Sequence, residues 1–335
     1  MFNYLHCSRI LTINQGVLIM IKLPFLVAAL LILCSACAPK VPDPKNLAEA
    51  GIRAVNLFLY YQDLDRAERF YTQTLGMEKV ADYGMAKIVR VSADAYIILV
   101  DAEKGMHTVD EPKTVAVALL TEQVEAWYEY IKKQGIEIRY TLKTDLSKPH
   151  DGFVAVDPEG YLLEFERFNP HDENTVLIPL LTDLETLYPA EKSGSTVPDG
   201  LGFHSMVSWL YYKDLTAMQS FYENTLGLDM IVDQGWAKIY RASQTGFVGL
   251  VDQSRGMHSW TEKKAVNVGF IVDNLEGWYN TVKNSALFEL RTQKLEKEPQ
   301  GRYKAFVGYD PEGYYLEFDK FYPHEMNDIF LDRLK

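Results

Sequence analysis

The chain has 335 residues, 47% of them hydrophobic and 13% aromatic, and its 46 acidic residues outnumber 34 basic ones to give a formal net charge of −12. Removing the first 36 residues removes Arg9 and Lys22 but no acid, so the formal charge of the remainder falls to −14 (32 − 46). An acidic body without a basic run argues against nucleic acid as a partner. The apolar content is enough for packed cores, and the length suits two domains.

Residues 1–37 have the pattern of a secretion signal. Lys22 precedes a short apolar run over 23–33, which is too short to span a membrane as a stable helix. A start at Met20 gives a tighter signal than a start at Met1, and the sequence leaves both starts open. We therefore exclude this segment from the predicted fold.

The chain contains three cysteines, Cys7, Cys34 and Cys37, and none follows position 37. This distribution excludes a disulfide framework in a mature chain that begins near that position. The run Leu-Cys-Ser-Ala-Cys over 33–37 resembles the lipobox of bacterial lipoproteins. The resemblance implies that Cys37 is lipidated and anchors the protein to a membrane of the bacterial cell envelope, with the outer membrane as one option. An extended, proline-containing tether is then predicted over 38–51.

An internal repeat organises the rest of the chain. The run Asp-Pro-Glu-Gly-Tyr over 157–161 returns over 310–314, and earlier matches such as Gly-Met-His over 105–107 and 256–258 lie 151 positions apart. Asp-Pro-x-Gly is typical of a tight turn, and the run after it has strand composition with one glutamate. The sequence predicts two tandem domains, over 52–168 and 203–321, and we expect each to fold alone.

Each copy also divides into two halves. Asp63 precedes an apolar helical pattern that Gly76 ends, and a second helical pattern over 124–131 is ended by Gly135. A β-rich segment precedes each helix and strand-like runs follow, so the pattern predicts four βαβββ modules of the α+β class. A helix and linker are predicted over 169–202, and a C-terminal helix over 322–335.

This combination resembles the vicinal oxygen chelate superfamily, which includes glyoxalase, bleomycin-resistance proteins and extradiol dioxygenases. The resemblance rests on the four modules, the Asp-Leu step into a helix ending Phe-Tyr-x-x-x-Leu-Gly, and the closing Asp-Pro-x-Gly strand with its glutamate. It implies two tandem domains, in each of which eight strands of a curled mixed sheet surround a cavity. It also implies that enzyme members hold a divalent metal with residues of the first, fourth, fifth and eighth strands.

The resemblance places the metal-ligand positions on eight residues. They are Asn56, Ile98, Ala116 and Glu164 in the first copy, and Val207, Gly249, Asn267 and Glu317 in the second. One carboxylate with at most one amide does not suffice for a divalent ion. We therefore expect no metal or other cofactor at the standard positions, and we keep the two glutamates and two asparagines as candidates for ligand binding.

Four histidines add further candidates. His107 and His258 follow the fourth strands, and His171 and His324 follow the eighth-strand glutamates. They either cap loop backbone groups or lie at the cavity mouths as ligand-binding or acid-base groups. The alternative metal sites, for zinc or iron, are His107, Glu164 and His171 in one copy and His258, Glu317 and His324 in the other. His204 is predicted to lie on the surface.

Three functions fit these patterns. The leading one is a cell-envelope lipoprotein whose domains bind a small molecule in their sheet cavities, without an assigned catalytic residue. The alternative is a metal-dependent lyase, isomerase or dioxygenase that uses the non-standard histidines and glutamates. A structural or protein-interaction lipoprotein is the second alternative, and a filled core without a cavity would favour it.

Overall fold

The computed structural model describes residues 51–189 and 194–334. The predicted signal segment, the lipobox and the tether up to position 50 lie outside the described residues. The first copy contributes the strands β1 (Ile52–Tyr61), β2 (Glu78–Asp82), β3 (Ala86–Ser92), β4 (Ala95–Asp101), β5 (Val115–Leu120), β6 (Ile138–Lys143), β7 (His150–Val156) and β8 (Leu162–Phe168). The second copy contributes β9 (Ser205–Tyr212), β10 (Asp229–Asp233), β11 (Ala237–Arg241), β12 (Gly246–Asp252), β13 (Val266–Val272), β14 (Glu289–Leu290), β15 (Tyr303–Tyr309) and β16 (Tyr315–Phe321).

One α-helix follows the first strand of each module, and two more follow the last strands of the two copies. The helices are α1 (Leu64–Arg69), α2 (Val124–Lys133), α3 (Leu177–Thr182), α4 (Leu215–Ser220), α5 (Leu275–Lys283) and α6 (Asp328–Arg333). Asp63 caps α1, since its carboxylate accepts from the Arg66 N–H at 2.8 Å, and Asp214 caps α4 in the same way. The four predicted βαβββ modules and the α+β class are confirmed.

The strands form two eight-stranded mixed sheets. Sheet A has the order β14-β15-β16-β13-β1-β4-β3-β2, and sheet B has the order β10-β11-β12-β9-β5-β8-β7-β6. Sheet A therefore joins the first module to the fourth, and sheet B joins the second to the third. The two junctions are the antiparallel pairs β1–β13 and β5–β9.

This pairing corrects the expectation that the two modules of one copy share a sheet. Each of the two sheets takes one module from each copy. The alternation of buried and exposed residues along a strand indicates which face points to a core. It does not indicate which neighbour the strand pairs with, because equivalent strands of the two copies have nearly the same faces and edges. Pairing within a copy and pairing between copies therefore look alike in the sequence.

One hydrophobic cluster connects the two sheets. It contains one face of each sheet, including Leu57 and Phe270 of sheet A and Val117 and Leu210 of sheet B, together with Trp127 of α2. The opposite face of each sheet carries a smaller cluster and a cavity. The copies thus share both their strand ladders and their main core.

Short helices after the last strands cover part of the cavity-bearing faces. Leu177 of α3 packs on sheet B, and Phe330 of α6 lies with its ring centroid 5.0 Å from that of Tyr96 on sheet A. The predicted C-terminal helix is present, whereas α3 ends at Thr182, and Leu187 instead pairs with Phe203 in an isolated β-bridge. Within residues 51–189 and 194–334, no helix is long and apolar enough to cross a membrane.

Two buried aspartates hold the repeated turns. The Asp157 carboxylate accepts from the hydroxyls of Tyr61 at 2.7 Å and Tyr71 at 3.1 Å, and from the N–H groups of Glu159 and Tyr161 at 2.9 and 2.8 Å. The Tyr161 hydroxyl, at the start of β8 in sheet B, donates to the Ala265 carbonyl and accepts from the Tyr60 N–H of sheet A. The turn therefore fixes one sheet against the other.

The exchange of modules predicts that neither copy folds alone. Fragments 38–193 and 194–335 expressed separately should be insoluble or unfolded, because each would expose the central edges that form the β1–β13 and β5–β9 pairs. Co-expressed fragments should instead purify as a folded one-to-one complex, which size-exclusion chromatography and circular dichroism would detect. A single fragment that is monomeric and unfolds cooperatively would contradict this prediction.

Candidate functional site

A pair of carboxylates lies on the cavity face of each sheet. Glu164 and Glu166 on β8 correspond to Glu317 and Asp319 on β16, and residues two apart on a strand share a face. The first member of each pair is a sequence-predicted candidate, whereas Glu166 and Asp319 are additional. Both can be identified from the sequence. The repeat offset of 153 relates Glu166 to Asp319, and strand alternation places each on the same face as the glutamate two residues before it.

The sheet A cavity has a volume of about 100 Å³ and an apolar wall around its carboxylates. The wall includes Phe58, Tyr83, Met85, Ile98, Tyr303 and Phe321. Asn267 donates from Nδ2 to Glu317 Oε2 at 3.3 Å, and its Oδ1 accepts from the Tyr60 hydroxyl at 3.0 Å. His107 Nε2 also lies 3.0 Å from this oxygen. Asn267 therefore connects the histidine to the glutamate.

The acids of sheet A lie deep enough for their pKa values to rise. Burial raises the pKa of Glu317 to about 7. Burial, reinforced by the negative charge of Glu317, raises the pKa of Asp319 well above its ordinary range. The charged forms of both acids are disfavoured because no neighbouring cation among the described residues offsets the burial of either carboxylate.

Asn56 and Asp319 leave hydrogen-bonding capacity unused in sheet A. Asn56 is 0% exposed and its carboxamide lies close enough to Asp319 to lower the pKa of that acid, but neither the carboxamide atoms nor Asp319 Oδ2 forms a hydrogen bond of good geometry. Gly269 pairs in register with both Asn56 and Glu317. A Cβ there would lie 2.8 Å from Phe58 Cε2, 3.1 Å from the Asn56 Cβ and 3.5 Å from Asp319 Oδ2, so glycine is needed for these groups to pack this closely.

The sheet B cavity, also about 100 Å³, brings a histidine to its carboxylates. One potential ligand atom from each of His150, Glu164 and Glu166 lies within 4.8 Å of the others, and His150 Nδ1 contacts Glu166 Oε1. Burial, followed by the charge of Glu166, raises the pKa of Glu164 to about 8. The hydrogen bond to Glu166 raises the pKa of His150 to about 9.

Aromatic side chains form much of the wall of the sheet B cavity. The cavity is lined by Phe168, Trp209, Tyr211, Trp236, Val251 and Met257. A Cβ on Gly249 would lie 2.0 Å from Trp209 Cε3, so the indole occupies the space that a side chain at this position would need. The Arg255 guanidinium lies 5.0 Å from the Trp236 ring centroid.

The module exchange regroups the superfamily's ligand positions. Sheet A carries Asn56, Ile98, Asn267 and Glu317, and sheet B carries Ala116, Glu164, Val207 and Gly249. Both amides therefore lie in sheet A, and sheet B keeps a glutamate alone among these four positions. The grouping expected from the sequence is wrong because the fifth and eighth strands of one copy lie with the first and fourth strands of the other.

The same exchange separates the alternative metal sets. His107 contacts Asn267 of sheet A and so lies with Glu317 rather than Glu164. His258 belongs to sheet B, where its ring centroid is 5.0 Å from that of Tyr211 and its Nε2 is buried without a partner. The sets His107, Glu164, His171 and His258, Glu317, His324 are therefore not assembled.

His171 and His324 have a structural role. His171 Nδ1 accepts from the Glu173 N–H at 3.2 Å, and His324 Nδ1 accepts from the Met326 N–H at 3.1 Å. Each imidazole thus caps a single turn of 3₁₀ helix, as one of the two sequence interpretations predicted. The capping nitrogen is engaged with the backbone, so only Nε2 of each ring is left to contact a ligand.

His204 is buried rather than exposed. It is 4% exposed, its Nδ1 lies 3.0 Å from Ser205 Oγ, and burial lowers its pKa to about 4. The sequence prediction assumed that the face opposite the ligand position is solvated. In the structure that face packs in the core, because β9 lies in the middle of sheet B.

The sequence did not single out His150. This residue begins β7, and the residue at the same offset on β15 is Tyr303, so the repeat itself conceals the difference in chemistry. Strand β7 pairs with β8 in the register that places Gly152 opposite Glu166 and Val154 opposite Glu164. The histidine is therefore a diagonal neighbour of Glu166 on the same face.

The modules and sheets define the class of protein: the fold is that of the vicinal oxygen chelate superfamily. Residues 53–165 match the family model described as Glyoxalase/Bleomycin resistance protein/Dioxygenase superfamily. This match covers 113 of the 335 residues, so the family model applies to the first copy. No match was found among curated proteins.

Solved structures share the fold at low sequence identity. A glyoxalase I mutant from Zea mays is 16% identical with a TM-score of 0.57, and the alignment covers 87% of this chain and 99% of that one. A putative dioxygenase from Bacillus subtilis subsp. subtilis str. 168 is 13% identical with a TM-score of 0.56, over 83% of this chain and 87% of that one. At these identities the likeness shows the fold.

The standard metal positions offer three protein donors in sheet A, none of them a histidine, and one donor in sheet B. In sheet A they supply one carboxylate and two amides, and the Asn267 oxygen already accepts from Tyr60. In sheet B they supply Glu164 alone, and Trp209 occupies the space beside Gly249. A site needs three or more oxygen or nitrogen donors. The His150, Glu164 and Glu166 group lies outside this standard arrangement.

Stability should fall as pH rises from about 6.5 to about 8 in metal-free buffer. The folded-state pKa values of Glu164, about 8, and His150, about 9, exceed their ordinary values of 4.5 and 6.5, so the folded state binds more protons in this range. Replacing Glu164→Gln should remove part of this slope, on the order of 1 kcal/mol per pH unit. The free energy of unfolding of both proteins, measured with urea at a series of pH values, gives the two slopes.

The Glu317→Gln variant is the matched control for this pH dependence. Because the folded-state pKa of Glu317 is about 7, this substitution should reduce the pH dependence of stability only in the lower part of the range from 6.5 to 8. The range begins at 6.5 because His204, buried with a lowered pKa, contributes the opposite slope below its unfolded value of 6.5. An unchanged slope in Glu164→Gln would show that this carboxyl is already ionised in the folded state.

Proposed function

We propose that the protein is a small-molecule-binding member of the vicinal oxygen chelate superfamily and that its principal binding site is the sheet A cavity. The observation that carries the proposal is the pair of buried acids, Glu317 and Asp319, that line the sheet A cavity without a cationic partner among the described residues, with Asp319 Oδ2 left without a hydrogen bond of good geometry. Unpaired buried polar groups are costly. A ligand that hydrogen-bonds to them would offset that cost.

The charges of the cavity favour a cationic ligand. Glu317 and Asp319 are both buried acids, and the nearest basic residue of the cavity wall, Arg302, is already paired with Glu298 at 2.6 Å. The Arg302 guanidinium also lies over the Tyr83 ring. A ligand ammonium would find carboxylates and aromatic faces around it, both of which attract cations. The ammonium would also favour the charged forms of these two acids, whose pKa values burial raises, whereas a ligand carboxylate would be repelled by whichever acid is ionised.

The cavity volume restricts the size of the ligand. A volume of about 100 Å³ corresponds to roughly three water molecules at liquid density. Phe58, Met85 and Phe321 provide an apolar surface around the acids. A short aliphatic amine, or the amine end of a longer molecule, has the chemistry and size that this site recognises.

Three ligands of equal chain length test the proposal: n-propylamine, n-propanol and propionate. We expect the amine to bind most tightly and the carboxylate not to bind, with chemical shift changes in NMR spectra as the measurement, since such short ligands bind weakly. Glu317→Gln and Asp319→Asn should each weaken amine binding about tenfold or more, because a charge-assisted hydrogen bond contributes about 1.5–3 kcal/mol.

Glu164→Gln is the matched control for the amine experiment, because it changes the equivalent carboxyl of the other sheet. Amine binding should be unaffected by it. Equal binding of all three ligands, or amine binding that survives both sheet A variants, would refute the assignment of the site. Folding of each variant is checked by its unfolding midpoint.

A metal-dependent lyase, isomerase or dioxygenase is the second candidate function. The group of His150, Glu164 and Glu166 in sheet B favours it, because an imidazole and two carboxylates are donors that divalent ions accept. The third interpretation, a structural or protein-interaction lipoprotein, would be favoured by a filled core without a cavity. The cavities beside the carboxylates of sheets A and B give it no support.

We further propose that the protein is anchored at the cell envelope by a lipid on Cys37. This residue lies outside the described residues, and the proposal rests on the lipobox-like sequence. Cys37→Ala should move the protein from the membrane fraction to the soluble fraction of the envelope, as immunoblotting of cell fractions would reveal. Cys34→Ala is the control and should stay membrane-bound. A Cys37→Ala variant that also stays in the membrane fraction would disprove lipid attachment at this cysteine.

A further inference from the structure

We propose that His150, Glu164 and Glu166 bind one first-row divalent metal ion in sheet B, at a position displaced from the superfamily's standard metal site. Of these three residues, Glu164 alone occupies a standard position. His150 comes from β7 and Glu166 lies two residues further along β8. The inference goes beyond the proposed function, which concerns ligand binding in sheet A.

The strand pairing assembles the three donors without any loop. Glu164 and Glu166 project from one face of β8, and His150 is the diagonal neighbour of Glu166 across the β7–β8 pair. Gly152 lies opposite Glu166 and places no side chain between it and His150. A donor atom from each of the three residues lies within 4.8 Å of the others, which suits a common ion at their centre.

Glu166 pairs with His150 through one oxygen only, and its second oxygen is the independent observation that points to a metal ion, which would take the place of the proton on His150. The Glu166 side chain is 1% exposed, and its Oε2 atom is buried without a hydrogen-bond partner. A carboxylate oxygen buried without a partner is costly, and a metal ion in contact with it would remove that cost. His150, by contrast, is 40% exposed at the side chain, so the site has an opening to solvent through which an ion can enter.

The surrounding side chains leave room for the ion and for additional ligands. The Arg255 guanidinium lies over Trp236 rather than in an ion pair with either glutamate. Three protein donors leave coordination positions open toward the cavity, as is usual for sites that also hold water or a substrate. Imidazole and carboxylates suit Mn²⁺, Fe²⁺ and Zn²⁺.

Sheet A provides an internal comparison. Its equivalent residues are Tyr303, Glu317 and Asp319, so a phenol stands where sheet B has the imidazole. A protonated phenol is a poor metal donor, and burial raises the pKa of Tyr303 further, mainly by desolvation. One ion per chain is therefore expected, bound by sheet B.

The test is a titration of the untagged chain with Mn²⁺ after treatment with a chelator. Mn²⁺ prefers oxygen and nitrogen donors, so the cysteine thiols of the N-terminal segment do not confuse the count. Free Mn²⁺ measured by electron paramagnetic resonance should give one saturable site per chain, which added Zn²⁺ displaces. The bound ion should also raise the unfolding midpoint, because it binds the folded state.

Two variants and one control decide the assignment. Glu166→Gln and His150→Tyr should each weaken Mn²⁺ binding by more than about 100-fold, since even loss of an outer-shell partner weakens metal sites by about 10–100-fold. Asp319→Asn, the matched change in sheet A, should leave the affinity unchanged. If His150→Tyr fails to fold, the conservative Glu166→Gln decides the assignment alone.

Absence of saturable binding of both Mn²⁺ and Zn²⁺ would overturn the proposal. Binding that persists unchanged in the Glu166→Gln variant would also overturn it, because the ion would then lie elsewhere. Loss of binding in Asp319→Asn together with intact binding in Glu166→Gln would move the site to sheet A and equally refute the assignment.

Discussion

The buried hydrogen bonds of Asp157 and Asp310 are the interaction on which the rest of the structure depends. Each carboxylate is enclosed in the core and compensated by tyrosine hydroxyls and backbone N–H groups of its own turn. Each turn also places a tyrosine hydroxyl in contact with the other sheet. The Tyr161 hydroxyl donates to the Ala265 carbonyl, and the Tyr314 hydroxyl donates to the Thr114 carbonyl. The positions of β8 and β16, and hence of the cavity carboxylates, follow from these contacts.

Local features of the fold could be predicted from the sequence, and long-range pairing could not. Asp63 and the glycine after its helix predicted a capped helix because capping is a local property. The partner of β1 is set by competition between similar edges of two copies, about which alternating hydrophobicity says nothing. The positions that the family resemblance implied were therefore grouped within each copy, whereas the structure distributes them over both sheets. Strand alternation is sufficient to predict that Glu166 and Asp319 share a face with the candidate glutamates. The position of His150 beside Glu166 follows only from the register of the β7–β8 pair, which the sequence does not specify.

The two sites share a framework and differ in chemistry. Sheet A combines Asn56, Asn267 and Tyr303 with its acids, and the same positions of sheet B hold Val207, Ala116 and His150. Hydrogen-bonding capacity is thus concentrated in one cavity and potential metal donors in the other. A duplicated framework allows this division because the buried turns and main core maintain the fold while the cavity faces vary.

The exchange of modules also bears on how such a gene can change. If each copy closed its own sheet, deletion of either half would leave one working pocket, and selection could discard the other. Because β1 pairs with β13 and β5 pairs with β9, loss of either half removes part of both pockets at once. The duplication is consequently irreversible by simple truncation, and the two halves must be inherited, translated and degraded as a single unit.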